Sequence, residues 1–171
     1  MLEIFYPDIY VEKFQDVDLR LLSSKNIKGV ILDIDNTLVA SHVEVPDENV
    51  IKWIERLKKE GFKACIVSNA SKKRVIKFNE HLKINAIHRA SKPGKKALLK
   101  AIKLMEIDKS EAAIIGDQIF TDVYGGNRIG ILTILVKPID KNEFFFVRLK
   151  RYLERIVLKS YFKSKGQKYQ A

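Results

Sequence analysis

The sequence predicts an α/β protein: a doubly wound, Rossmann-like parallel sheet with helices on both faces. Three observations lead there. Short runs rich in aliphatic and β-branched residues recur along the chain. Each is followed by a segment whose apolar residues fall at helical spacing. The clearest runs are apolar almost without interruption, as expected of strands buried on both faces.

In chain order, residues 1–27 are expected to pack on the core as an N-terminal segment. Lys28-Gly29-Val30-Ile31-Leu32-Asp33-Ile34 reads as the first strand. Pro46-Asp47 opens a helix that Asp47 caps, with Val50, Ile51, Ile54 and Leu57 as its apolar stripe and Gly61 as its stop. Phe62 to Val67 is the second strand. Ser71 caps a helix carrying Val75, Phe78 and Leu82. Ile84 to Ile87 is a short third strand. Pro93 is expected to begin the next helix, at the position where proline costs least, with Leu98, Leu99, Ile102 and Met105 facing inward. Ala112 to Ile115 and Ile129 to Val136 complete the strands. A last helix runs from about Asn142 to about Ser160, and 161–171 reads as a frayed basic tail. One domain over 1–160 accounts for the whole pattern.

Composition narrows the class. The chain has 171 residues, 46 % of them hydrophobic and 31 % charged, which excludes disordered and fibrous classes. Its single cysteine, Cys65, lies in an apolar run and reads as a buried thiol, so no intrachain disulfide forms and a cytoplasmic setting fits. No secretory signal pattern and no apolar run near the ~20 residues of a membrane span is present. The net charge of +11 attracts polyanions of any kind and does not choose among them.

In doubly wound sheets, ligands bind beyond the carboxyl ends of the strands. Those ends carry the chemistry here. The first strand runs into Asp33-Ile34-Asp35-Asn36-Thr37, the second into Ser68-Asn69, the third into Ser91-Lys92-Pro93, and the fourth into Gly116-Asp117 with Asp122 close behind. Carboxylates crowded on one rim repel one another and lose hydration unless a cation compensates them. A hard divalent ion with oxygen ligands does so, and Lys92 and Ser68 suit an anionic substrate. His42, His81 and His88 show no ligand spacing and read as surface or structural residues, and Gly125-Gly126 as a backbone turn.

These motifs, in this order, resemble the haloacid dehalogenase (HAD) superfamily of phosphatases. The stretch Gly116-Asp117-Gln118-Ile119-Phe120-Thr121-Asp122-Val123-Tyr124-Gly125-Gly126-Asn127-Arg128 resembles the YqeG-like subclass IIIA branch. So do Tyr6-Pro7-Asp8, Thr133 to Val136 and Pro138-Ile139. The resemblance implies a Mg2+-dependent phosphomonoester hydrolase. Asp33 would be the nucleophile and Asp35 the general acid and base. Thr37 would orient Asp35 or the motif backbone, while Ser68 and Asn69 hold the phosphoryl group and Lys92 offsets charge. Mg2+ would sit on Asp33, Asp117 and the Asp35 carbonyl, with Asp122 in or next to its shell. Relatives of this branch are phosphatidylglycerophosphate phosphatases, which makes a membrane lipid phosphate the implied substrate. A soluble phosphorylated metabolite or nucleotide stays open as the alternative. So does a receiver-like phospho-accepting domain, although receivers usually place the acceptor where this chain has Lys92.

The gaps between motifs are too short for a cap domain, which predicts an open site. From Lys137 to Ala171 there are ten Lys or Arg against three Asp or Glu. Phe145, Leu149, Tyr152, Leu153, Ile156 and Val157 share a helical face, with Arg148, Arg151, Arg155 and Lys159 beside it. That face either packs on the sheet or lies in an anionic lipid interface on the inner side of the membrane, with nucleic acid the remotest partner.

Overall fold

The computed structural model describes residues 2–140, 145–167 and 169, with side chains from 149 onward in the later stretch. Six parallel strands form one sheet in the order β1-β6-β5-β2-β3-β4. They are β1 (Ile9–Val11), β2 (Gly29–Leu32), β3 (Lys63–Val67), β4 (Asn85–Ile87), β5 (Ala112–Gly116) and β6 (Leu132–Val136). The helices are α1 (Leu19–Ser24), α2 (Glu48–Lys59), α3 (Lys72–Asn79), α4 (Lys95–Leu104), α5 (Tyr124–Ile129) and α6 (Phe145–Ser164).

Strand alternation sends Val30 and Leu32 of β2 to one face and Ile31 to the other. The first face packs against Leu22 of α1, Trp53, Ile54 and Leu57 of α2, and Val75 and Phe78 of α3. The second packs against Leu98, Ala101 and Ile102 of α4. A third cluster joins Leu135 of β6 to Ile119, Val123, and Val157 and Leu158 of α6. Asp47 caps α2 by accepting from the Val50 amide (2.9 Å), and Ser71 caps α3 by accepting from Arg74 N (3.3 Å), as their sequence positions require. No inserted cap interrupts the described residues between Thr37 and Lys92.

Several expectations need correction. The N-terminal segment supplies a sixth strand, β1, rather than merely covering the core. Its register beside β6 is pinned by Asp8, whose carboxylate accepts from the Thr133 amide (2.8 Å) and hydroxyl (3.0 Å). Pro93 does not begin α4. It follows Lys92 through a cis peptide bond, and Gly94 is the N-cap. The last helix runs to Ser164, past the boundary expected at 160. Its expected first residues, from Asn142, lie outside the described residues. Tyr161 is buried against Tyr6, and Phe162 packs edge-on to Tyr10, so residues just past 160 belong to the core.

The structure also decides which side of α6 faces inward, which the sequence left open. Its buried residues are Glu154, Val157, Leu158 and Tyr161, with Arg151 nearly so. Of the apolar stripe read from the sequence, Val157 is buried and the Phe145 side chain lies outside the described residues, while the other four point to solvent: Leu149 is 56 % exposed, Tyr152 63 %, Leu153 48 % and Ile156 49 %.

Candidate active site

The site is built from the ends of β2 and β5 at the centre of the sheet. The Asp33 amide donates to the Ile115 carbonyl (3.1 Å), so the β2–β5 ladder continues to the rim and fixes where its carboxylate starts. Asp117 follows β5 directly. Asp122 sits on a single wide turn, Ile119–Val123, that folds back over Gly116. A Cβ on Gly116 would collide with the Asp122 carboxyl group, so only glycine allows this return. Lys92 arrives from beyond β4, where its backbone is held by Asn69. The Asn69 Oδ1 accepts from Lys92 N (2.7 Å) and its Nδ2 donates to Lys92 O (3.2 Å).

These elements converge on a buried cluster. One carboxylate oxygen each from Asp33, Asp117 and Asp122 lies within 4.8 Å of the others. Lys92 Nζ bridges two of them, 3.0 Å from Asp33 Oδ1 and 2.6 Å from Asp122 Oδ1. Asp122 also accepts from the Gln118 amide (3.2 Å). The Thr37 hydroxyl donates to Asp117 Oδ1 (3.1 Å), not to Asp35. The Asp35 carboxylate turns away from the cluster to Arg74, whose Nη2 donates at 3.0 Å. Ser68 is buried at the rim, its hydroxyl accepting from the Ala70 amide (3.2 Å). Of the predicted site residues, Asp33, Thr37, Lys92, Asp117 and Asp122 are thus in contact, Ser68 and Asn69 frame them, and Asp35 stands at the mouth.

Three residues that the motif pattern did not reveal complete the picture. Arg74 of α3 holds Asp35 and also donates to the Glu44 carbonyl (3.0 Å). Arg151 of α6 reaches into the cluster. Its guanidinium pairs with Asp117 Oδ2, donates to the Asp117 carbonyl (2.7 Å) and meets Glu154 Oε2 (2.9 Å). Glu154 in turn accepts from the Ile119 amide (2.7 Å), at the first residue of the turn that carries Asp122. Arg74 had no sequence signal. The i,i+3 spacing of Arg151 and Glu154, with Val157, Leu158 and Tyr161 on the same side, was a signal that the stronger apolar stripe masked.

Burial dominates the electrostatics. It pushes Asp33 up to about 6, against the pull of Lys92, and Asp117 up to about 8, against the pull of Arg151. Burial also works against the charge of Lys92, but Asp122 and Asp33 outweigh it and hold the ammonium above its usual range. Counted together, Asp33, Asp117, Asp122 and Glu154 face Lys92 and Arg151, so full ionisation leaves an excess of two negative charges. An all-oxygen donor set with that deficit fits one hard divalent cation. A buried carboxylate with a lysine across from it, beside further carboxylates that suit a divalent cation, at the carboxyl rim of a parallel sheet, is the arrangement of a phosphatase of the HAD class.

Comparison with known proteins agrees and goes further. The family model described as mitochondrial PGP phosphatase matches residues 2–140. The chain is 42 % identical over 164 residues to the "Probable phosphatase YqeG" of Bacillus subtilis (strain 168), covering 96 % of this chain and 95 % of that one. It is 32 % identical over 174 residues to the chloroplastic/mitochondrial phosphatidylglycerophosphate phosphatase 1 of Arabidopsis thaliana, covering 95 % of this chain and 49 % of that one. The chain therefore spans about half the length of the plant enzyme. In fold it resembles the 3-deoxy-D-manno-octulosonate 8-phosphate phosphatase of Moraxella catarrhalis, solved with magnesium and phosphate ions. That likeness has a TM-score of 0.51 at 18 % identity, over 83 % of this chain and 92 % of that one. The chain belongs to the PGP phosphatase family of the HAD superfamily. Arg151 and Glu154 lie beyond the matched residues of the family model, although they reach into the site that those residues build.

Proposed function

We propose that this phosphatase is a single-domain, Mg2+-dependent phosphomonoester hydrolase acting through an aspartyl-phosphate on Asp33. Its substrate is phosphatidylglycerophosphate, met on the cytoplasmic face of a membrane. The observation that carries the chemistry is the buried Asp33–Lys92–Asp122 bridge beside Asp117. The lipid assignment draws on the plant relative and on a rim without an inserted cap, which leaves room for a headgroup still anchored in a bilayer.

In the first half-reaction an Asp33 carboxylate oxygen attacks phosphorus. The Asp33 O–P bond forms as the ester P–O bond breaks, and Asp35 gives its proton to the departing alkoxide. In the second, Asp35 takes a proton from water, the hydroxide oxygen attacks phosphorus, and Asp33 leaves as the carboxylate. Lys92 holds the Asp33 carboxylate in place and offsets charge on the phosphoryl oxygens. Ser68 and the amides after it bind those oxygens, with Asn69 keeping Lys92 at the rim. Asp33, Asp117 and the Asp35 carbonyl would hold Mg2+, with Asp122 completing or supporting its shell. The ion would supply compensation for the phosphoryl charge. Arg74 keeps the Asp35 carboxylate at the mouth, where a leaving group departs.

The test is phosphate release from phosphatidylglycerophosphate in detergent micelles, with soluble phosphate esters alongside and Asp33→Asn as control. The expected result is rapid release from the lipid by the parent chain, and a loss of at least about a hundredfold in the variant. Turnover retained by Asp33→Asn would remove Asp33 from the nucleophile role. Release from soluble esters alone would discard the lipid substrate and keep the chemistry.

A further inference from the structure

We propose that the outward face of α6 is a docking surface for an anionic lipid bilayer. This deepens the lipid reading above by naming the part of the protein that meets the membrane.

The observation is an inversion. Leu149, Tyr152, Leu153 and Ile156 follow i, i+3, i+4, i+7 spacing, so they form one stripe about 100° wide along the helix. On a helix that merely packs on its sheet, such a stripe faces inward. Here each of the four is about half exposed or more, while the inward side carries Arg151 and Glu154 with Val157, Leu158 and Tyr161. The inward contacts are satisfied without the stripe, so it is left unpartnered among the described residues.

The flanks identify the occupant. Arg155, Lys159 and Lys163 recur at four-residue steps along one edge of the stripe, and Lys150 lies on the other side; all four are exposed. The one acidic residue between 149 and 164 is Glu154, which is buried and tied to Arg151 and the Ile119 amide. A second copy of this chain would have to bring two such basic edges together, with no exposed carboxylate on the helix to offset them. An anionic bilayer satisfies both parts. The apolar stripe enters the headgroup–acyl boundary, the Tyr152 ring suits that boundary, and the long cationic side chains reach the phosphates. No described helix is long and apolar enough to cross a membrane, so the fitting geometry is a helix lying in the interface. A helix is about 10–12 Å across. Arg151, on the reverse side, touches Asp117, so docking this face would set the carboxylate pocket roughly one helix width from the lipid surface.

The experiment is co-sedimentation of the full chain with vesicles of phosphatidylcholine alone, and of phosphatidylcholine mixed with phosphatidylglycerol. The parent chain is expected to pellet with the anionic vesicles and much less with the neutral ones. Leu153→Asp/Ile156→Asp and, separately, Arg155→Glu/Lys159→Glu are expected to weaken anionic-vesicle binding at least tenfold with an unchanged unfolding midpoint, since all four side chains are exposed. The proposal is overturned if the parent chain ignores anionic vesicles, or if both variants bind them as well as the parent does. It is equally overturned if, without vesicle binding, the stripe variant disperses a concentration-dependent dimer, which assigns the face to a second copy. Vesicle binding that depends on these residues, together with failure to hydrolyse the lipid in micelles, upholds the docking surface and rejects the lipid substrate alone.

Discussion

Asp35 and Asp117 stand on neighbouring strand exits, and each meets an arginine brought by a helix from an opposite face of the sheet. Arg74 comes from α3, which packs with Leu32 and Ile66; Arg151 comes from α6, which packs with Leu135. The pairs differ in burial. For Arg151–Asp117 the side chains are 13 % and 0 % exposed, and for Arg74–Asp35 they are 16 % and 33 %. In the first pair, removal from water is the dominant force on the carboxylate, and Glu154 adds a further charge that Arg151 must serve. In the second, water reaches the carboxylate. In the proposed roles, the carboxylate assigned to the metal lies where water is excluded, and the one assigned to proton transfer lies where it can exchange partners.

The largest break in that comparison is Arg151→Ala. It leaves Asp117 and Glu154 buried without their cation, so that they either stay charged or take up protons, and it costs about 3–5 kcal/mol of folding stability at a pH where they stay ionised. Denaturant unfolding without added metal measures it. A loss under about 1 kcal/mol would mean that water enters the pocket freely and that burial does not distinguish the two pairs.

Next in size is the coupling of metal, pH and stability. In the metal-free protein, burial holds Asp33 near 6 and Asp117 near 8, both above the ordinary 3.8. Well below pH 3.8 these groups are protonated whether the chain is folded or not, and they contribute nothing. As pH rises from 4 to 8 the unfolded chain gives up its protons first. The metal-free fold therefore loses stability across that window. A divalent cation bound to these carboxylates would stabilise the ionised form and reverse the loss. The rise in unfolding midpoint on adding Mg2+ is expected to be small at pH 5 and large at pH 8. A rise independent of pH would show that the metal binds away from these carboxylates.

The sequence made the central rim legible and the flanks much less so. β2, β3 and β5 are nearly continuous apolar runs ending in acidic or hydroxyl residues, and both properties survive in a linear reading. β1 did not, because three residues make no periodic pattern; its place depends on Asp8 meeting Thr133 across the chain. α6 was found as a helix, but which way its apolar face turns was left open, and the structure turns most of it outward. Apolar periodicity identifies a stripe but not what it faces. The site's demand for a cation at Asp117 and an acceptor at the Ile119 amide sends Arg151 and Glu154 inward instead. Thr37 shows the same limit: it was expected to orient Asp35 or the motif backbone, but its hydroxyl donates across the rim to Asp117 on β5's exit.

The smallest expected effect sharpens the comparison most. Arg74→Ala removes a guanidinium from a carboxylate that keeps its access to water, so folding stability should fall by no more than about 1 kcal/mol. Its consequence should appear instead in turnover. Without Arg74, the Asp35 carboxylate loses its hold at the mouth, and protonation of the leaving alkoxide becomes less favourable. The value of kcat should drop severalfold while the unfolding midpoint in Mg2+ barely moves, the reverse of the weighting expected for Arg151→Ala. Measuring both variants by denaturant unfolding and by phosphate release separates the cases. If Arg74→Ala destabilises the fold as much as Arg151→Ala does, the half-exposed pair is a structural tie like the buried one. Asp35 would then lack the freedom its proposed proton transfers require.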